Sequence, residues 1–131
     1  MPDLKELRNK AAKKARKVLH SFDFDDTLFK PISKEWIEET VQEAKESIGD
    51  GAVLTVLITG RKDQPAEREE LERLLAEKGL EFDEVIMNDS QEKSPAYKAR
   101  TLEALRERFP ALTTTKIWEN DADAKKAMTT E

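Results

Sequence analysis

The fold is decided by the stretch Lys17-Val18-Leu19-His20-Ser21-Phe22-Asp23-Phe24, which continues directly into Asp25-Asp26-Thr27. β-Branched and aromatic residues favour a strand, and the acidic residues that follow them predict a turn at its end. Residues 52–58, 82–87 and 113–118 have the length and apolar content of three further strands. Helical patterns separate these segments, and parallel strands need such helical connections. The four strands are therefore predicted to form a parallel sheet.

The helical patterns carry apolar residues at helical spacing and have recognisable ends. The first opens at Pro31 and Ser33, where Ser33 is a suitable N-cap, and its apolar positions include Val41 and Ala44. Two more helices follow at residues 63–79 and 94–110, each with a proline in its first turn, and a short one covers residues 121–128. This alternation predicts one α/β domain, a Rossmann-like three-layer α/β/α sandwich around a short, four-stranded parallel sheet.

Composition limits the chemistry that is open to the chain. Its 131 residues fit one domain, 39% of them are charged, no cysteine is present and His20 is the only histidine. Disulfides, thiolate metal sites, cysteine nucleophiles and sites with two histidine ligands are therefore excluded. The longest apolar run, residues 52–58, is far shorter than the ~20 residues that span a bilayer. We therefore expect a cytoplasmic protein without a membrane span.

The net charge of −5 conceals a division of charge along the sequence. Residues 1–17 contain seven basic and two acidic residues, and the remainder is acidic. Leucine and alanine recur at helical spacing in this segment, which predicts a basic amphipathic helix over residues 1–17 that packs on a core of residues 18–131. A nucleic-acid contact by the basic segment is the alternative interpretation.

Acidic residues gather after the first predicted strand, at the carboxyl edge where parallel α/β sheets place their functional groups. Asp23, Asp25 and Asp26 would repel one another there unless a cation or hydrogen bonds compensate. With only oxygen ligands available, the cluster predicts Mg²⁺ in preference to Ca²⁺. An EF-hand is excluded because its glycine and distal glutamate are missing and a strand precedes the acids.

Two carboxylates separated by one residue can divide the work of phosphoryl transfer between a nucleophile and a general acid and base. The charge of the phosphoryl group must then be neutralised by a hydroxyl, an amine and a metal. Thr59 supplies a hydroxyl after the second strand, Gly60 allows close approach of the backbone, and Arg61 could add charge. For the amine, helical spacing favours Lys98 over Lys93, because Lys98 continues the apolar stripe of its helix toward the sheet.

The segment Phe22-Asp23-Phe24-Asp25-Asp26-Thr27-Leu28-Phe29 resembles the DxDxT signature of the haloacid dehalogenase (HAD) superfamily, the aspartate-nucleophile phosphohydrolases. Val56-Leu57-Ile58-Thr59-Gly60-Arg61 resembles the threonine-bearing second motif of that superfamily. Together with residues 82–86, 94–98 and 117–121, these motifs resemble the branch called Swiss Army Knife RNA repair-like. The resemblance covers residues 18–125.

This resemblance implies a phosphohydrolase in which Asp23 is the nucleophile that forms an aspartyl-phosphate and Asp25 is the general acid and base. It also implies a phosphate site and a Mg²⁺ site at the same edge of the sheet. The implied phosphate-binding residues are Thr59, Gly60 and Lys98, and the implied metal ligands are Asp23, Asp25 through its backbone carbonyl, Glu119 and Asp121.

The fourth motif departs from the pattern of the family, which commonly has two acids after this strand. Here Glu119 is followed by Asn120, so Asp121 or Asp123 would have to supply a second acid. One alternative is therefore a weakly active or inactive member that binds phosphate or a partner. A phosphoacceptor receiver domain is a second alternative, in which Asp89 would accept the phosphoryl group.

The segments that follow the first two motifs are short. Residues 30–51 and 62–81 each hold one predicted helix, so neither has space for a cap domain. Capless members of the superfamily tend to accept extended substrates. The resemblance therefore implies a phosphorylated substrate such as a nucleotide or a nucleic-acid end, and we expect a monomer or a small homo-oligomer.

Overall fold

The computed structural model describes residues 15–129. The helix predicted over residues 1–17 lies outside the described residues except for its last three positions. The strands are β1 (Val18–Phe22), β2 (Phe29–Lys30), β3 (Glu35–Trp36), β4 (Val53–Lys62), β5 (Glu84–Asn88) and β6 (Thr114–Trp118). The helices are α1 (Glu38–Ile48), α2 (Pro65–Lys78), α3 (Ser94–Arg108) and α4 (Ala122–Thr129).

Four of the strands form one parallel sheet in the order β5-β4-β1-β6. Helices α1 and α2 cover one face, where Val41 and Leu71 pack with Phe22 and Leu57. Helices α3 and α4 cover the other face, where Leu102 and other apolar side chains form a second cluster. The predicted α/β architecture with a four-stranded parallel sheet is therefore confirmed. No helix among residues 15–129 is long and apolar enough to cross a membrane.

The segment after β1 corrects one prediction about a helix end. Helix α1 begins at Glu38 with Ile37 as its N-cap, whereas Ser33 lies in the connection between β2 and β3. These short strands pair antiparallel, with Phe29 opposite Trp36. Both rings pack on Phe24, at centroid distances of 5.4 and 5.9 Å. Burial of this aromatic cluster outweighs the local capping preference of Ser33, because apolar burial contributes more than one cap.

A tight turn after β1 places the acidic residues at the carboxyl edge of the sheet. The backbone carbonyl of Phe24 accepts hydrogen bonds from the N–H groups of Leu28 and Phe29, at 2.9 and 3.1 Å. Asp26 takes the left-handed conformation, with φ of 62°, which aspartate tolerates better than most residues. The backbone N–H of Asp23 donates to the carbonyl of Trp118 at 2.9 Å and so ties the turn to the end of β6.

Candidate active site

Asp23 lies buried where β1 ends, and both of its carboxylate oxygens have partners. Oδ1 accepts a hydrogen bond from Nζ of Lys98 at 2.9 Å, and Oδ2 accepts one from the hydroxyl of Thr27 at 3.3 Å. Lys98 comes from the first turns of α3, and its side chain is only 3% exposed. The apolar stripe of α3 thus carries its one buried ammonium group to the end of the central strand.

The same ammonium group of Lys98 also donates to Oε1 of Glu119, which follows β6 and whose side chain is 1% exposed. One cation therefore stands between two buried carboxylates. Burial, a hydrogen bond in which protonated Glu119 donates to Asp23, and repulsion by Asp23 raise the pKa of Glu119 to about 7, although Lys98 opposes the shift. Burial acts to lower the pKa of Lys98, but the two carboxylates outweigh it and the pKa is raised. In this triad of Asp23, Lys98 and Glu119, the single positive charge of Lys98 does not fully compensate the two carboxylates.

Asp25 forms an ion pair with Arg61, a residue whose partner the sequence pattern did not predict. The Nε and Nη2 atoms of Arg61 donate to the two carboxylate oxygens of Asp25 at 2.8 and 2.7 Å. The guanidinium carbon of Arg61 also lies 5.1 Å from the ring centroid of Phe24. The hydrogen bond with Asp25 is the main cause that raises the pKa of Arg61. Sequence spacing carries no signal for this pair, since Asp25 lies in the turn after β1 and Arg61 lies in β4.

Thr59 and Gly60 lie near the end of β4, where its pairing with β5 is irregular between Ile58 and Lys62. The hydroxyl of Thr59 is buried and accepts the backbone N–H of Arg61 at 3.2 Å. A Cβ atom on Gly60 would lie 2.8 Å from Oγ of Ser94, the first residue of α3. Glycine therefore lets this strand approach the start of α3 without displacing the Ser94 side chain.

The loop after β6 places its polar residues in different roles. Asn120 is exposed, and its Oδ1 lies 3.4 Å from the hydroxyl of Thr27, whose one proton is shared between Asn120 and Asp23. Asp121 instead caps α4, because its Oδ1 accepts the backbone N–H groups of Asp123 and Ala124 at 2.9 and 3.3 Å.

The acidic residues predicted to bind a metal are thus divided among three partners: Lys98, Arg61 and the first turn of α4. Within residues 15–129, no group of three or more histidine or acidic side chains is arranged to hold a metal ion. Direct hydrogen bonds connect Asp23, Lys98 and Glu119 in one triad. Asp25 and Arg61 form a separate hydrogen-bonded pair.

Comparisons with known proteins gave matches to a family model and to solved structures. The model of a family described as HAD domain family 1 in Swiss Army Knife RNA repair proteins matches residues 6–130. One similar solved chain belongs to the structure of the Pnkp1/Rnl/Hen1 RNA repair complex, with a TM-score of 0.70, 18% identity and coverage of 86% of this chain and 39% of the other. Another, from a structure of the Pnkp1/Rnl/Hen1 complex, has a TM-score of 0.69, 18% identity and coverage of 86% and 42%.

At this level of identity the two solved structures support the fold alone. The chain spans about two fifths of the length of each of these neighbours. No curated protein shows significant sequence similarity to the chain.

Proposed function

The chain belongs to HAD domain family 1 in Swiss Army Knife RNA repair proteins, and on that premise we propose that it is a Mg²⁺-dependent phosphatase that works through an aspartyl-phosphate. One observation carries the proposal. The carboxylate of Asp23 is buried at the end of the central strand β1, and one of its oxygens is fixed by the ammonium group of Lys98. A desolvated carboxylate that is held in one orientation is suited to attack phosphorus.

In the proposed first step, an oxygen of Asp23 forms a bond to phosphorus while the bond from phosphorus to the leaving oxygen breaks. The electron pair goes to the leaving oxygen, which takes a proton from Asp25. Lys98 and the Thr59 hydroxyl stabilise the phosphoryl oxygens, whose negative charge increases toward the transition state.

In the second step, the carboxylate of Asp25 takes a proton from water while the water oxygen bonds to phosphorus. The bond between Asp23 and phosphorus then breaks, and inorganic phosphate leaves. Asp23 is restored as a carboxylate and Asp25 as the acid. The net reaction converts a phosphate monoester and water into an alcohol and phosphate.

The donor set of the site fits Mg²⁺. Asp23 and Glu119 offer buried carboxylate oxygens, which are the hard ligands that this ion prefers. Burial and the neighbouring Asp23 raise the pKa of Glu119 although Lys98 opposes the shift, so the site can accommodate further positive charge. Asp23, the backbone carbonyl of Asp25 and Glu119 would hold the ion, which would neutralise charge on the phosphoryl group. We leave Asp121 out of this set because its carboxylate caps α4.

For the substrate, we propose a phosphate at a nucleic-acid end or on a nucleotide. The family is that of RNA repair proteins, and the two solved neighbours come from RNA repair complexes. The segments between β1, β4 and β5 hold only α1, α2 and the short β2–β3 hairpin, so no cap domain covers the carboxyl edge of the described sheet. An open edge of this kind can admit the end of a polymer.

A second candidate function is phosphate or partner binding with weak or no turnover. The observation in its favour is Asn120, a neutral side chain where the family commonly has an acid. Fewer carboxylates weaken the affinity for a hard divalent ion.

The experiment that separates the two candidates measures phosphate release from oligoribonucleotides with 3′- or 5′-phosphate ends, in Mg²⁺ and in EDTA. We expect Mg²⁺-dependent release that Asp23→Asn lowers on the order of 10⁴-fold or more. Asp26→Asn is the matched control, because it removes the same charge from an exposed residue of the same turn and asparagine also tolerates a positive φ. Undiminished turnover in Asp23→Asn would refute the mechanism. Phosphate binding without any release would favour the second candidate.

A further inference from the structure

The pairing of Arg61 with Asp25 has the geometry of a planar fork. Nε and Nη2 of Arg61 each donate to a different carboxylate oxygen, at 2.8 and 2.7 Å. Two parallel hydrogen bonds fix both the position and the plane of the carboxylate, which a single bond from a lysine would not do.

Arg61 is itself held in place by its surroundings. Its backbone N–H donates to the hydroxyl of Thr59, and its guanidinium group lies over the ring of Phe24. Nη1 of Arg61 also lies 3.9 Å from a carboxylate oxygen of Glu67 in α2. The side chain of Arg61 is 14% exposed, whereas that of Asp25 is 32% exposed. The arginine is thus the fixed member of the pair, and the carboxylate is the member that faces the open edge.

The fork leaves Asp25 able to react. A carboxylate has about four lone-pair sites, and a bidentate arginine uses one on each oxygen. The remaining sites of Asp25 can carry the proton that goes to a leaving oxygen, and after that transfer they can accept a proton from a water molecule on the exposed side. Arg61 therefore orients this carboxylate without blocking it.

From these contacts we infer that Arg61 is a positioning residue, which holds Asp25 in the orientation that its proton transfers require. This inference rests on the proposed phosphatase function. Arg61 acts through Asp25 and takes no part in bond formation at phosphorus. Loss of Arg61 should therefore reproduce the defect that loss of Asp25 causes, and it should do so selectively.

The selectivity comes from the leaving group. An alkoxide, such as a ribose oxygen, must be protonated as it leaves, whereas p-nitrophenolate is stable enough to leave without a proton. General acid catalysis contributes typically ~10²–10⁴-fold where the leaving group needs it. A misplaced Asp25 therefore lowers kcat/KM for an alkyl phosphate much more than for p-nitrophenyl phosphate, because kcat/KM covers the steps up to departure of the leaving group and not the second step that both substrates share.

The test compares kcat/KM for a 3′-phosphorylated oligoribonucleotide and for p-nitrophenyl phosphate in Arg61→Gln, Arg61→Lys and Asp25→Asn. We expect Arg61→Gln to lower the first value about 100-fold and the second only a few-fold, with the same selectivity in Asp25→Asn. Arg61→Lys keeps the charge but not the fork, and it should show an intermediate loss with the same selectivity. Arg68→Gln, which breaks a comparable but more exposed pair with Asp63, is the matched control and should leave both values unchanged.

Equal losses on both substrates in the two Arg61 variants would overturn the inference and leave the phosphatase proposal standing. Unchanged hydrolysis of the oligoribonucleotide would overturn it as well. If the wild-type chain hydrolyses neither substrate, the proposed function fails and the positioning role fails with it. Circular dichroism of each variant shows whether the fold is retained, and Arg61→Lys provides the answer if Arg61→Gln does not fold.

Discussion

Replacing Glu119 with glutamine should remove a pH dependence of stability that the buried triad creates. Burial and Asp23 raise the pKa of Glu119 to about 7 from its ordinary value of 4.5. Between these two values the native state binds more protons than the unfolded chain, so the free energy of unfolding falls as the pH rises. A shift of this size amounts to about 3 kcal/mol, at ~1.4 kcal/mol for each pH unit. This loss is complete above about pH 7 and absent below about pH 4.5.

Glutamine has nearly the volume of glutamate, and its amide oxygen can still accept a hydrogen bond from Lys98. We therefore expect Glu119→Gln and wild type to have similar stability near pH 4.5. At pH 8 the variant should be more stable by up to about 3 kcal/mol, because it carries no buried negative charge at this position. The sign is diagnostic, since most substitutions of buried residues are destabilising.

The measurement is urea denaturation at several pH values between 4.5 and 8, with EDTA in every sample and the fluorescence of Trp118 and Trp36 as the probe. His20 affects the same pH range in the opposite direction, because burial lowers its pKa and its contribution falls as the pH drops. The difference between variant and wild type cancels that effect. Glu103→Gln, which removes an exposed carboxylate of α3, is the matched control. A difference between Glu119→Gln and wild type that does not change with pH would refute this account of the triad.

Two further substitutions test the backbone around the site. Gly60→Ala places a methyl group 2.8 Å from Oγ of Ser94, so it should lower stability by about 1–3 kcal/mol in denaturation experiments, and part of the loss should be recovered in a Ser94→Ala background. Equal losses in both backgrounds would contradict the contact. Asp121→Ala should lower stability by about 1 kcal/mol through loss of the cap on α4, whereas Asp121→Asn should retain it. Asp121→Asn should also retain Mg²⁺-dependent phosphate release, and a large loss of release would instead assign this residue to the metal.

The fold was predictable because its main signals are local. The sequence shows both the buried apolar run that becomes β4 and the helices that lie between the strands. Strands that are connected through helices pair in parallel sheets, as they do here. The start of α1 was not predictable in the same way. Phe29 and Trp36 pair with each other and both pack on Phe24, and the stabilisation depends on three-dimensional contacts that no local pattern contains.

The site residues also differ in how far local sequence patterns predict their positions. Helical spacing directs Lys98 toward the sheet, and the structure places its ammonium group on Asp23. Arg61 could not be assigned, because its direction depends on the irregular pairing near the end of β4. The resemblance implies Asp121 as a metal ligand, and the structure shows its carboxylate as the N-cap of α4, a common place for aspartate. Charge alone does not tell a ligand from a cap when both stand at the edge of the sheet.

Lys98 gives the chain an internal counter-ion. Two buried carboxylates at the end of a sheet would otherwise oppose collapse of the chain until a cation arrived from solution. Because the compensating charge is covalently attached to α3, the acidic edge can assemble in the absence of any divalent ion. Folding of this edge would then not depend on the ion that we propose, so the domain could complete its fold before any ion is bound.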